Sequence, residues 1–140
     1  MIKSPETAVE LAIKNPYQTD ARRVLCVCSV GMLRSPTLAN ELHKRYGYNT
    51  RSCGVSLDYA LVPISSALIH WADEIVFMDF NVFSAFTEDD DNKQLIKEVK
   101  DTCTDVFILN VPDDFNWNDS VLRETSVMQY LEKRKFKDME

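Results

Sequence analysis

Glycine is scarce in this chain, three residues in 140, and histidine is scarcer, with two. With only five prolines besides, there is no room for a long flexible linker, and this length makes one ordinary domain. No stretch approaches the roughly 20 consecutive apolar residues that span a bilayer. The opening MIKSPETAVELAIKNP has a short apolar segment interrupted by Glu6 and Glu10, so it does not read as a signal peptide and a cytoplasmic location is expected. Zinc-ligand spacing is missing from the four cysteines, Cys26, Cys28, Cys53 and Cys103, and a reducing compartment keeps them as thiols. Positive charge is also short: 16 basic against 22 acidic residues leave a net charge of −6. That excludes broad binding to nucleic acid or an anionic membrane. Any anion site has to be built locally.

What is present suffices for one core, since 45% of the residues are hydrophobic. Ser4-Pro5 pairs an N-cap with a residue suited to a first helical turn, and Asn15-Pro16 closes the segment. Residues 1–20 are therefore expected as an N-terminal helical extension of a single domain, 1–140. VLCVCS, 24–29, is short, β-rich and apolar on both faces, as in a buried parallel strand, with Cys26 and Cys28 on one of those faces. A helix is expected from Pro36 to about Tyr46, ended by Gly47. Strands follow at 49–53, 74–78 and 105–111, with a helix at 63–71 and mostly helix over 80–100, broken by the acidic run 88–91. A last helix, about 120–135, has Val121, Leu122, Thr125, Met128 and Leu131 as its expected buried stripe. Strands alternating with helices predict an α/β fold with a parallel sheet and right-handed crossovers. Ligands bind such sheets at the carboxyl ends of the strands, which is where the segment after Ser29 and the loop after Val111 fall.

Cys28 and Arg34 are separated by five residues, and Ser35 follows. In a chain of this composition that pattern arises by chance roughly once in seventy. Here it also leaves a buried strand and opens a helix. A loop of that length, Ser29, Val30, Gly31, Met32, Leu33, Arg34 and Ser35, turns backbone N–H groups inward as an anion nest. The following helix adds the positive end of its dipole. Both favour a thiolate at Cys28. Arg34 supplies a planar fork for two phosphate oxygens, and Ser35 a hydroxyl for the sulfur. A phosphatase further needs a proton donor for the leaving oxygen. Asp113 and Asp114, after a predicted strand at the same sheet edge, are both candidates, although an Asp pair there also suits a turn or a helix cap. Phe115 and Trp117 flank them as a possible wall for an aryl ring, or as plain packing.

These residues resemble the low-molecular-weight protein tyrosine phosphatases, and most closely a bacterial and phage branch with a PDD loop, over about residues 23–135. VLCVCSVGMLRSPTLANEL resembles the family's strand, phosphate loop and first helix. RSCGVS resembles its Ser-Ala-Gly strand end, WADEIVFMDFN its third strand, and VPDDFNW its general-acid loop. The resemblance implies Cys28 as nucleophile, Arg34 as phosphate clamp, Ser35 as thiolate partner and Asp113 as general acid and base. It implies a three-layer sandwich around a four-stranded parallel sheet of order 2-1-3-4, acting on a phosphorylated protein or small aryl phosphate without cofactor or metal. The chain departs from the pattern at Val30-Gly31, where Gly-Asn is usual, and at Leu33, where better-known members have a second cysteine. It departs again at Cys53, at Asp114 and at Phe115-Asn116.

Two other readings stand beside this one: a phosphate- or phosphopeptide-binding module without turnover, and a thiol-based arsenate reductase, which needs resolving cysteines near the first. His43 and His70 fall in predicted helices away from both loops. The run 88–91 is expected as a solvated helix junction rather than a cation site. If the strands pair as expected, Cys26 or Cys53 lies near enough to Cys28 for a protective disulfide.

Overall fold

The computed structural model describes residues 21–29, 34–56, 60, 62–102, 104–111 and 120–138. The expected helix at 4–15, loop residues Val30 to Leu33, Cys103, and the group Asp113, Asp114, Phe115 and Trp117 lie outside them. The elements are β1 (Arg23–Cys28), α1 (Arg34–Tyr46), β2 (Asn49–Gly54), α2 (Ser66–Trp71), β3 (Glu74–Phe77), α3 (Phe80–Glu88), a 3-10 turn (Asp90–Asn92), α4 (Lys93–Asp101), β4 (Asp105–Ile108) and α5 (Ser120–Asp138).

The four strands are parallel in the order β2-β1-β3-β4, as expected. Val24 to Cys28 are all buried, because β1 is central and both its faces are covered. Cys28 stands opposite Gly54, and Val27 opposite Phe77. On one face Val24, Cys26 and Cys28 pack with α1 (Leu38, Leu42) and α5 (Leu122, Val127, Tyr130). On the other, Leu25, Val27 and Cys53 pack with α2 (Leu68, Ile69, Trp71) and α3 (Val82, Phe86). The result is a three-layer sandwich.

Local chemistry sets the element ends. Gly47 closes α1 at a φ of 70°, its N–H donating to the His43 carbonyl at 2.9 Å, the left-handed cap that glycine adopts without a Cβ penalty. The helix expected from Pro63 begins only at Ser66. Pro63 instead forms a bridge with Gly54, and Ser65 is the cap, accepting from the Leu68 N–H at 3.3 Å. The strands expected to reach 78 and 111 stop at Phe77 and Ile108. Their continuations stay beside the sheet through Met78 N–H to Val27 O, 2.9 Å, and Val111 N–H to Met78 O, 3.0 Å. In the acidic run, exposed Asp89 caps the turn by accepting from the Asp91 N–H at 2.9 Å.

The expected stripe of α5 holds at Leu122 but not at Val121, Met128 or Leu131. Val121, Met128 and Leu131 are exposed, while Leu122, Ser126, Val127 and Tyr130 are buried. The reason lies at the far end of β3, where Glu74 is fully buried. Its carboxylate accepts from Tyr130 Oη at 2.6 Å and Arg22 Nη1 at 2.7 Å, and also pairs with Arg134. Tyr130 and Arg134, one turn apart, are drawn to that buried charge, which turns the helix away from its most apolar face. An unpaired carboxylate there costs more than a few exposed methyl groups.

Candidate active site

Cys28 ends β1 and points into the face that α1 covers, with 3% of its surface exposed. Its Sγ lies 3.1 Å from Ser35 Oγ. Ser35 is fully buried in the first turn of α1, which begins at Arg34 rather than at Pro36. Pro36 still falls within that turn, where its missing N–H leaves no bond unmade. The hydroxyl has a second, long contact at 3.5 Å to the Cys53 carbonyl. When Cys28 is a thiolate, the Ser35 proton is directed at sulfur, the stronger and nearer acceptor.

Arg34, also 3% exposed, reaches across the carboxyl edge of the sheet. Its Nη1 donates to Asp79 Oδ2 at 2.5 Å and to the Val111 carbonyl at 2.9 Å. Asp79 follows β3, and Val111 is the last described residue before 112–119. The ends of β1, β3 and β4 and the start of α1 therefore meet at one place, the position where open α/β sheets hold their ligands. Ser29 is exposed beside it, its carbonyl accepting from the Ser56 N–H at 2.8 Å.

The C-x-C pair shares a sheet face as expected, but its members differ. Cys26 is fully buried, and its thiol is pushed far above the ordinary range, first by burial and then by the neighbouring charge of Cys28. Cys53 packs in the cluster on the opposite sheet face from Cys28. The expectation that it lies close enough to bridge to Cys28 is corrected by strand alternation: it stands opposite Val27, not Cys28.

Sequence reasoning passed over Asp79, which it met only as part of a resembling strand. The signal was there in its placement, an Asp just after a strand and just before a helix. The structure makes it the N-cap of α3, accepting from the Val82 N–H at 2.8 Å. Both histidines are away from the site: His43 Nδ1 lies 2.9 Å from Tyr48 O, and His70 Nε2 lies 3.2 Å from Glu98. Among the described residues no group of three or more His, Cys, Asp or Glu gathers as a metal site. No helix among them is long and apolar enough to cross a membrane.

No protein-family model matches the chain, and no curated protein matches it in sequence. Solved structures do match. The YwlE arginine phosphatase from Geobacillus stearothermophilus is 19% identical, with a TM-score of 0.57 over 84% of this chain and 96% of that one. The tyrosine phosphatase Wzb from Escherichia coli K30, in complex with phosphate, is 14% identical, with a TM-score of 0.53 over 85% and 98%. A low-molecular-weight protein tyrosine phosphatase from T. tengcongensis is 15% identical, with a TM-score of 0.54 over 86% of this chain and the whole of that one. At these identities the likeness is one of architecture, and it spans nearly the full length of each neighbour. With its four parallel strands in the order 2-1-3-4 and a cysteine at the end of the first, the chain has the fold of the low-molecular-weight protein tyrosine phosphatases.

Proposed function

We propose that the chain is a phosphomonoester hydrolase of the protein tyrosine phosphatase type that works through a phosphocysteine intermediate. The observation that carries this is the convergence of Cys28, Ser35 and Arg34 at the carboxyl edge of the sheet, with Sγ and Oγ at 3.1 Å, in a fold shared with phosphatases. The Cys28 thiolate attacks phosphorus in line, forming an S–P bond as the ester P–O bond breaks. The amides of residues 29–35 and Arg34 stabilise the charge on the equatorial oxygens. Nη1 of Arg34 is held by Asp79 and Val111, and the planar fork presents N–H groups to two phosphate oxygens. Asp113, or Asp114 beside it, gives a proton to the leaving oxygen. The same carboxylate then takes one from water as that water attacks phosphorus and the S–P bond breaks. Ser35 donates to the sulfur as it regains its charge. Phe115 and Trp117 wall the aryl group of the substrate.

The reading needs no cofactor. A thiol nucleophile suits the cytoplasm, and residues 1–20 are taken as an extension of one domain, 1–140. Phosphotyrosine in a protein is the proposed substrate, with small aryl phosphates as surrogates. Since one structural neighbour is an arginine phosphatase, phosphoarginine belongs in the panel.

The test is para-nitrophenyl phosphate hydrolysis at mildly acidic pH with EDTA and a thiol reductant, for the wild type and Cys28→Ser. Turnover by the wild type and none by the variant is expected. A folded, reduced wild type that binds phosphate without turnover overturns the enzyme reading in favour of a binding module, which the unusual Val30-Gly31 pair would then explain.

A further inference from the structure

Asp79 makes and breaks no bond in the chemistry above, yet its carboxylate is split between two elements. Oδ1 accepts from the Val82 N–H at 2.8 Å and so caps α3. Oδ2 lies 2.5 Å from Arg34 Nη1. That same Nη1 donates to Val111 O at 2.9 Å, beside the point where the chain enters the segment carrying Asp113. The ion pair is well shielded, with the arginine side chain 3% and the aspartate 18% exposed. Water therefore competes poorly for either partner, and both the Asp79 carboxylate and the Val111 carbonyl fix the guanidinium plane.

A carboxylate so near an oxyanion site also has an electrostatic cost, because it repels phosphate and cancels the charge of Arg34. If charge alone were needed there, Asp79 would be a liability. Its value has to lie in geometry, since the arginine fork recognises phosphate only when correctly oriented. We propose that Asp79 is a positioning residue: through Arg34 it sets both the orientation of the phosphate clamp and the place where the acid-bearing segment leaves the sheet. The inference rests on the phosphatase reading and names how its clamp and its acid are held in register.

Geometry and charge give opposite signs when Asp79 is shortened. Asp79→Ser keeps a good N-cap for α3 but does not reach Arg34. Inorganic phosphate binding, measured by calorimetry, is expected to weaken by about tenfold or more. In the same variant kcat/KM falls further for phenyl phosphate than for para-nitrophenyl phosphate, because the poorer leaving group depends more on a well-placed acid in the step that expels it. Asp79→Asn, which keeps an acceptor oxygen, recovers part of both losses. Ser65→Ala, which removes the corresponding cap of α2 and leaves the Arg34–Asp79 pair intact, moves neither quantity. Phosphate binding that is unchanged or tighter in Asp79→Ser overturns the proposal, as does an equal loss on both esters. A wild type that binds phosphate but cleaves neither ester sinks the phosphatase reading, while the affinity comparison still decides whether Asp79 orients Arg34.

Discussion

Cys26 and Cys28 are two residues apart on one strand face, and their surroundings give them different chemistry. Burial and the adjacent charge hold Cys26 as a thiol, whereas Cys28 has a hydroxyl at 3.1 Å in a helix's first turn. Iodoacetamide at neutral pH is therefore expected to label Cys28 in the native protein and leave Cys26 unmodified, as peptide mapping would show. Cys53→Ser is expected to leave peroxide sensitivity unchanged, since its side chain lies across the sheet from the nucleophile; a change in the inactivation rate would contradict that placement. Ser35→Ala removes one hydrogen bond to the departing sulfur. It should slow phosphocysteine breakdown by about tenfold, the equivalent of roughly 1.5 kcal/mol, seen as a burst of nitrophenol followed by a slower steady state. Arg34→Lys keeps the charge but loses the planar fork. A loss of about 10²-fold in kcat/KM is expected.

At the scale of elements, the far end of β3 is as specific as the near end. Glu74→Gln leaves Arg22 and Arg134 without their shared carboxylate and should cost about 3–5 kcal/mol in urea denaturation. On α5, Leu122→Ala should cost about 2–5 kcal/mol and Met128→Ala less than about 0.5 kcal/mol, although the sequence pattern put both residues in one buried stripe. The stripe could not be read correctly from period and polarity, because its phase is decided by a buried carboxylate 56 residues before Tyr130 in sequence, Glu74, which accepts the Tyr130 hydroxyl's hydrogen bond and pairs with Arg134. Helix α2 was misread at its start for a related reason. Pro63 suits a first turn, but the chain there is still bridged to β2, and only a tertiary contact reveals that.

At the scale of the whole molecule, the strand order, the central β1 and the junction of Cys28, Arg34 and Ser35 were legible in the sequence. Local patterns encode the central strand, the junction and the parallel α/β class through a doubly apolar run, a fixed spacing, and strands alternating with helices, whereas the strand order came only from the family resemblance. Asp79 and the Val111 carbonyl were not legible as partners of Arg34, since β3 and β4 bring them there from 45 and 77 residues away. The Glu74 cluster has a consequence for synthesis. All four strands have been made once residue 108 has left the ribosome, but a carboxylate in the middle of the sheet's lower edge then has, among the described residues, Arg22 alone as a side-chain partner. Tyr130 and Arg134 arrive only after the strands are complete. A nascent chain stopped before them carries a charge it cannot bury, so the sheet should stay open until α5 has emerged.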